Sequence, residues 1–177
     1  MPTSIQHMYG HAAHEEWERL TSDAYHALEL RTTLHFLEKH LPPSGLLLDA
    51  GGGPGRYTIA LARRNYQLNL LDLTPELLVI ARQRIRDAGV EQNVMSIREG
   101  SIIDLGCYDD GAFDGVLCLG GPLSHVRPDG QRLGALRELA RVAKPGAPVF
   151  VSVMGRLAIL AQMPHYWPEE VLAPENY

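Results

Sequence analysis

An apolar run between Leu46 and Gly55 ends in an acidic residue and leads directly into a cluster of glycines, L-L-L-D-A-G-G-G-P-G. Glycine adopts left-handed backbone conformations without penalty and has no Cβ that would keep a ligand away. The pattern therefore predicts a buried strand that enters a tight turn whose backbone faces a ligand. With a helix after the turn, this would be the first unit of a nucleotide-binding crevice.

The rest of the chain alternates between strand and helix patterns. Apolar runs predict five strands, at residues 46–49, 67–71, 94–98, 113–119 and 147–153. Strands that alternate with helices are typical of an α/β fold with a doubly wound, mostly parallel sheet. Right-handed crossovers would give the strand order 3-2-1-4-5 and open a crevice between strands one and four.

Two further patterns predict helices. One begins at Pro75, with Thr74 at the N-cap position. The other covers residues 130–143, where helical spacing predicts an inward-facing stripe. That stripe consists of Leu133, Leu136, Ala140 and Ala143.

The glycine cluster departs from the dinucleotide-binding fingerprint G-x-G-x-x-G. Residues 51–56 read G-G-G-P-G-R, so Arg56 stands where the last glycine belongs. That glycine normally permits close packing of the helix on the strand. The departure argues against a nicotinamide dinucleotide as the ligand.

The pattern as a whole resembles the class I S-adenosylmethionine-dependent methyltransferases, whose first strand ends in acid-x-Gly-x-Gly-x-Gly. The residues that match this motif are Asp49, Gly51, Gly53 and Gly55. Asp72 follows Gly51 by 21 residues and matches the acid that ends strand two in the family. Residues 113–121 (F-D-G-V-L-C-L-G-G) and 144–146 (K-P-G) match later family segments. The ubiquinone/menaquinone-type branch, which acts on small molecules, is the most similar.

The resemblance implies S-adenosyl-L-methionine as cofactor. The implied cofactor-binding residues are Asp49, Gly51, Gly53, Gly55, Asp72, Leu73, Ser101, Ile102 and Leu119. Asp72 is expected to accept both ribose hydroxyls, because a carboxylate has two acceptor oxygens. Its alternative role as a helix cap is disfavoured because Thr74 already stands at the cap position. Asp49 either contacts the cofactor's ammonium, directly or through water, or pins the turn by accepting backbone N–H bonds.

The adenine end matches the family less well. Ser101 stands where the family often has an acid near the adenine amino group. Asp104 offers a replacement carboxylate, with a solvated loop acid as the alternative. Leu73 and Ile102 either flank the ring or belong to the core.

Methyl transfer from a sulfonium needs close placement of donor and acceptor, and a base where the acceptor is a hydroxyl or an ammonium. His125, in the loop after strand four, is the candidate base; its alternative is a structural or solvent-facing histidine. Further candidates for substrate contact are His7, Tyr9, His11 and His14 near the N-terminus and the aromatic residues Trp17, Tyr57, Tyr166 and Trp167. For Tyr57, core packing is the preferred interpretation.

Composition and charge argue against several other classes of protein. The net charge of −5 and the absence of a Lys/Arg run disfavour a nucleic-acid partner. No stretch approaches the roughly 20 apolar residues of a membrane span, and the first ten residues lack a signal-peptide core. Two cysteines and no metal-ligand motif predict neither a disulfide nor a metal site. A cytoplasmic protein is expected.

The sequence predicts a helical cap at residues 1–43, a cofactor-binding domain at 44–154 and a short C-terminal segment at 155–177. The family's strands six and seven are expected to be absent, because so short a segment cannot supply them. Strand five would then be an exposed apolar edge, which predicts either a truncated chain or a homodimer that covers the edge.

The favoured function is methyl transfer to a small-molecule acceptor. Two alternatives stay open at this stage. One is an NAD(P)-dependent oxidoreductase, and the other is a non-catalytic cofactor-binding or interaction module.

Overall fold

Five parallel strands form the sheet that positions the site. The structure is a computed structural model that describes residues 6, 10, 13–19 and 21–155. The strands are β1 (Leu46–Ala50), β2 (Gln67–Asp72), β3 (Val94–Glu99), β4 (Gly115–Cys118) and β5 (Val149–Val151). All neighbouring pairs are parallel and the order is β3-β2-β1-β4-β5, which confirms the predicted α/β fold.

Helices connect these strands and cover both faces of the sheet. They are α1 (Ala13–Arg19), α2 (Ala24–His40), α3 (Arg56–Ala62), α4 (Pro75–Asp87), the short α5 (Pro122–His125) and α6 (Asp129–Val142). Successive strand residues point to opposite faces. Leu47 accordingly packs in a cluster with α2, α3 and α4, whereas Leu48 packs in a second cluster with α6. Burial on both faces explains why the strands read as continuous apolar runs.

Strands β4 and β5 are shorter than predicted. Phe113 pairs with Ala143, at the end of α6, in an isolated bridge that lies outside the main ladder. At the other end, Gly120 and Gly121 have φ values of +82° and +87°, which end β4 after Cys118. The apolar run therefore extends beyond the residues that form ladder hydrogen bonds.

The predicted inward face of α6 was wrong for three of its four residues. Leu133 is 53% exposed, Leu136 is 39% exposed, and Ala140 is also exposed. The buried residues are Ala135, Leu139, Val142 and Ala143. Both sets fit helical spacing, so periodicity alone could not choose between them.

A polar network fixes the rotation of α6. Arg141 donates to the carbonyls of Leu105 and Tyr108, each at 3.0 Å. Glu138 accepts from the Leu105 N–H at 2.9 Å and pairs with Arg141. These bonds orient Glu138 and Arg141 toward the loop after β3, and Leu139 and Val142 then face the sheet.

The outer side of β5 is partly open. Val149 and Val151 are each 37% exposed, and in the part of the chain that the structure describes β5 pairs only with β4. This is the edge on which the homodimer expectation rests, and the dimer remains a prediction. The C-terminal segment from residue 156 onward lies outside the described residues. Among the residues that the structure does describe, no helix has both the length and the apolar character needed to cross a bilayer.

The corrected face of α6 can be tested with one buried and one exposed leucine. Leu139→Ala should lower the free energy of unfolding by about 2–5 kcal/mol, because it removes a fully buried side chain and leaves a cavity. Leu133→Ala should change it by less than about 0.5 kcal/mol. Urea denaturation followed by circular dichroism measures both, and equal losses in the two variants would show that the face is misassigned.

Candidate functional site

A cavity of about 430 Å³ lies at the carboxyl ends of β1, β2 and β4. Seven of the nine predicted cofactor-binding residues line it, namely Gly51, Gly53, Asp72, Leu73, Ser101, Ile102 and Leu119. The predicted base His125 lines it as well. The other two predicted residues, Asp49 and Gly55, are not on its surface. This crevice is where a doubly wound sheet binds its ligand.

The turn after β1 is held against the end of β2 by backbone hydrogen bonds. The Gly51 N–H donates to the Leu71 carbonyl at 2.7 Å. Gly51 has a φ of +77°, and a Cβ there would lie 2.5 Å from Pro122 Cγ. Gly53 has a φ of +53°, but a Cβ there would meet nothing nearer than Leu77 at 3.8 Å. Gly51 is thus required for both conformation and close packing, whereas Gly53 is required for conformation and leaves open space.

Gly55 has a structural role in this arrangement. It precedes α3, and a Cβ at this position would lie 3.4 Å from the Cβ of Ala81 on α4. This distance is ordinary van der Waals contact, so a side chain would fit, and glycine is required here by its φ of +83°. Its position outside the cavity wall gives no support to the predicted cofactor contact.

Asp72 ties the glycine turn to β2. Its Oδ2 accepts the Gly53 N–H at 2.8 Å and its Oδ1 accepts the Thr74 N–H at 2.9 Å. Thr74 is the N-cap residue of α4, as predicted, although its side chain makes no capping hydrogen bond. Asp72 accepts the N–H of Thr74 itself and not an N–H from the first turn of the helix. Each carboxylate oxygen has two lone pairs, so each can accept one further donor. The bonds to Gly53 and Thr74 are therefore compatible with ribose binding.

Burial affects the charge of Asp72. The side chain is only 7% exposed, and desolvation raises its pKa above the ordinary value. The N–H groups of Thr74 and Gly53 oppose this shift because they stabilise the carboxylate.

Asp49 lies beneath the glycine turn. It is 1% exposed, and a Cβ on Gly52 would lie 2.5 Å from its Cγ. Its Oδ2 accepts the Thr58 hydroxyl at 2.6 Å, while Oδ1 is buried with no hydrogen-bond partner among the described residues. Burial raises the pKa of Asp49 to about 6. This bond joins β1 to α3, and the predicted contact between Asp49 and the cofactor's ammonium stays a prediction.

The expected adenine end is flanked by apolar side chains. Leu73 and Ile102 both line the cavity, and Ile102 is buried among the core residues of the α6 side. The Ser101 hydroxyl oxygen is 3.4 Å from the Ile103 N–H. Asp104 is exposed and accepts the Gly106 N–H at 3.0 Å. It is not on the cavity wall, which agrees with its alternative interpretation as a loop acid.

The acceptor end lies around α5. His125 is half-buried, and desolvation together with the nearby positive charge of Arg127 lowers its pKa below 6.5. The imidazole is therefore neutral at physiological pH and can accept a proton. Tyr57 lines the cavity but is only 6% exposed and belongs to the core. Burial raises the pKa of the Cys118 thiol to about 12, which leaves it protonated and unreactive.

Helix α1 adds residues that the sequence analysis did not connect with the crevice. Glu16 and Arg19 line the cavity. Two guanidinium groups lie close to the Trp17 ring, with Arg56 at 4.0 Å and Arg84 at 4.9 Å from its centroid. No local pattern indicates contacts between residues so far apart in the chain.

Several predicted contacts cannot be placed. His7, Tyr9, His11, Tyr166 and Trp167 lie outside the described residues, and the same holds for the side chain of His14. Within the described ranges, no three His, Cys, Asp or Glu side chains are arranged to hold a metal ion.

The buried Asp49 predicts a specific pH dependence of stability. Its pKa is about 6 in the folded state, against an ordinary value of 3.8. The folded state therefore binds more protons between these values, and this contribution to stability is lost as the pH rises through about 6. Between about pH 4.5 and about pH 7.5, the wild type should lose about 2 kcal/mol of unfolding free energy relative to Asp49→Asn.

Chemical denaturation of both proteins at the two pH values measures this difference. Asp104→Asn, a change at an exposed carboxylate, controls for the loss of one negative charge. A wild-type-minus-variant difference that does not change with pH would contradict the assignment.

Comparison with known proteins gives the family. The model of the family described as a methyltransferase domain matches residues 47–146, from β1 to the turn before β5. The chain is 35% identical over 124 residues to the ubiquinone biosynthesis O-methyltransferase of Xanthomonas axonopodis pv. citri. That alignment covers 70% of this chain and 49% of the relative, so the chain spans about half the length of the curated relatives it matches.

Solved structures share the fold at lower identity. A putative S-adenosyl-L-methionine-dependent methyltransferase from Methanococcus maripaludis is 23% identical, with a TM-score of 0.61 over 80% of this chain and 68% of that one. The [4+2]-cyclase SpnF is 24% identical, with a TM-score of 0.70 over 84% of this chain and 60% of that one. Because one of these proteins is a cyclase, the shared fold does not fix the chemistry.

The family match covers more than half of the chain and includes the glycine turn, Asp72 and the strand order on which the cavity is built. The chain therefore belongs to the class I S-adenosylmethionine-dependent methyltransferases.

Proposed function

We propose that this chain binds S-adenosyl-L-methionine in the cavity and transfers its methyl group to a small-molecule acceptor. The observation that carries the proposal is Asp72, whose carboxylate lies on the cavity wall and accepts the N–H of Gly53, 2.8 Å away. A carboxylate that could accept sugar hydroxyls therefore lies directly beside the glycine turn.

The residues present fit this cofactor. The Asp72 oxygens each keep a lone pair for a ribose hydroxyl, and Leu73 and Ile102 offer apolar surfaces for the adenine. The unpartnered Oδ1 of Asp49 places negative potential beneath the glycine turn, where a cationic amino-acid tail would lie. Bound there, the cofactor supplies a methyl group activated by a sulfonium and a neutral thioether as leaving group.

The acceptor end fits a small molecule with an ionisable hydroxyl. The relative from Xanthomonas is an O-methyltransferase, which makes an oxygen acceptor the first choice here. We infer that His125 accepts the proton of that hydroxyl on an imidazole nitrogen and later releases it to solvent. Its lowered pKa keeps it in the neutral form that this step requires. The apolar wall formed by Leu119 and Val126 would exclude water around the reacting atoms.

Two alternative functions make different predictions for ligand binding. An oxidoreductase would bind NADH and would not bind S-adenosylhomocysteine. A non-catalytic module would bind S-adenosylhomocysteine but transfer no methyl group, and SpnF shows that the fold admits other chemistry. Calorimetry with both cofactors, followed by an acceptor assay, separates the three.

Other features of the proposal rest on the sequence alone. They are the helical cap at residues 1–43 over a cofactor-binding domain at 44–154, the homodimer, the cytoplasmic location and the absence of a nucleic-acid partner.

The ribose assignment can be tested by substitution of Asp72. Asp72→Ala should weaken S-adenosylhomocysteine binding at least about tenfold, because it removes charge-assisted acceptors and releases the Gly53 N–H. Isothermal titration calorimetry measures the affinity. Asp104→Ala, a carboxylate off the cavity wall, should bind like the wild type. Near-unchanged affinity in Asp72→Ala would refute the assignment.

The role of His125 can be tested by kinetics. His125→Ala should lower kcat for a phenolic acceptor about 100-fold, with S-adenosylhomocysteine affinity within about twofold of the wild type. His35→Ala, an exposed histidine on α2, is the matched control. Transfer of a labelled methyl group to a panel of phenols gives the rate. A loss of cofactor affinity equal to the loss of rate would point to a structural role instead.

A further inference from the structure

Helix α5, which carries the proposed base His125, is a single turn of four residues. The last four carbonyls of any helix lack partners inside it, and a helix this short consists of little else. At its end, the Val126 N–H donates to the Leu123 carbonyl over a long 3.3 Å. The orientation of His125 therefore depends on groups that hold this turn from outside.

Arg132, in the first turn of α6, bonds to the two carbonyls that flank His125. Its Nε donates to the Val126 carbonyl at 3.2 Å, and its Nη2 donates to the Ser124 carbonyl at 3.3 Å. Both bonds are at the long end of the usual range, but they come from one planar group whose donors have a fixed spacing. The partly buried guanidinium therefore fixes the backbone on both sides of His125 relative to α6.

The segment after β5 also holds this loop. The Met154 N–H donates to the Ser124 hydroxyl at 2.9 Å, and the Gly120 N–H donates to the Ser152 hydroxyl at 2.8 Å. Both bonds reach the loop before His125, whereas the bond from Arg132 to Val126 reaches it after His125. Loss of the arginine would therefore release the end of α5 and leave its beginning attached.

The placement of His125 matters because proton transfer needs close contact. A general base must lie within hydrogen-bond reach of the proton that it accepts, and a displacement of about 1 Å can cost a factor of about 100 in rate. His125 lines the cavity, whereas Arg132 lies off the cavity wall. Arg132 can therefore affect the reaction through His125 and not by contact with the acceptor.

We propose that Arg132 is a positioning residue that holds the imidazole of His125 at the acceptor side of the cavity. The inference rests on the proposed function, in which His125 accepts the proton of the acceptor hydroxyl. A purely structural role, in which Arg132 only satisfies the last carbonyls of α5, makes different predictions. It would change the stability of the fold, and its effect on the rate would not depend on whether the acceptor needs a base.

Kinetics with the full chain test the size of the effect. Arg132→Met keeps most of the length of the side chain but removes its donors. It lowers kcat for phenol about tenfold, with KM and the affinity for S-adenosylhomocysteine within about twofold of the wild type. Arg132→Lys keeps one donor group and recovers part of the rate. Arg137→Met, at an exposed arginine on the same helix, behaves like the wild type.

Two comparisons separate positioning from structural support. 4-Nitrophenol is ionised at a pH where phenol is not, so its methylation needs no base, and Arg132→Met methylates it within about twofold of the wild-type rate. In protein that already carries His125→Ala, the further change Arg132→Met has no effect on the rate with phenol. A residue that acts through another residue is not additive with it.

A measurement without acceptor or cofactor checks the position of the imidazole. Burial and the positive charge of Arg127 hold the pKa of His125 below 6.5. If Arg132→Met lets the ring move away from the wall, its desolvation decreases and its pKa rises toward 6.5. Titration of the His125 ring by NMR measures this change, and Arg137→Met gives the wild-type value.

The proposal can be overturned in three ways. Equal losses of rate with phenol and 4-nitrophenol, or additive losses in the double variant, would show that Arg132 only supports the fold. An unchanged rate and an unchanged His125 pKa in Arg132→Met would show that the loop does not need this anchor. If His125→Ala itself keeps the wild-type rate, or the wild type methylates neither phenol, the proposed function fails and this inference fails with it.

Discussion

The hydrogen bond between the Asp72 carboxylate and the Gly53 N–H connects the parts from which the site is made. Asp72 ends β2 and Gly53 lies in the turn after β1, so this 2.8 Å bond joins two neighbouring strand ends across the crevice. The other carboxylate oxygen accepts the Thr74 N–H, just before α4. One side chain therefore fixes the glycine turn and the start of a helix. Each of these oxygens keeps a second lone pair, and Asp72 lines the cavity.

The cost of this arrangement is a concentration of buried negative charge. Asp49 and Asp72 are 1% and 7% exposed, and the charge of Asp72 contributes to the raised pKa of Asp49. The hydroxyl of Thr58 donates to Asp49 Oδ2, while Oδ1 has no hydrogen-bond partner among the described residues. A cationic ligand above the turn would relieve this repulsion and favour the ionised form of Asp49. Part of the binding energy of such a ligand would thus come from an unfavourable feature of the unliganded protein, which is common at functional sites.

Local chemistry made much of this molecule predictable. Continuous apolar runs, the glycine cluster and the caps around Pro75 depend on residues close in sequence, and they predicted the strand order. The seven predicted residues on the cavity wall came from the family resemblance of those local motifs. The features that the sequence analysis predicted wrongly or missed have a common cause. The rotation of α6 depends on Arg141 and Glu138 bonding to a loop more than 30 residues away, and periodicity does not register such bonds. The Asp49–Thr58 bond and the position of Arg19 likewise depend on tertiary contacts.

Arg56 matters both for the prediction of the ligand from the sequence and for the packing of α1 in the structure. In the sequence it replaces the last glycine of the dinucleotide fingerprint, and this argued against a nicotinamide cofactor. In the structure it is the first residue of α3, donates to the Trp17 carbonyl and stacks on the Trp17 ring at 4.0 Å. A glycine at this position could make neither contact with α1. Helix α1 also carries Glu16 and Arg19, which line the cavity. The arginine that replaces the last glycine of the dinucleotide fingerprint therefore holds α1 beside the cavity.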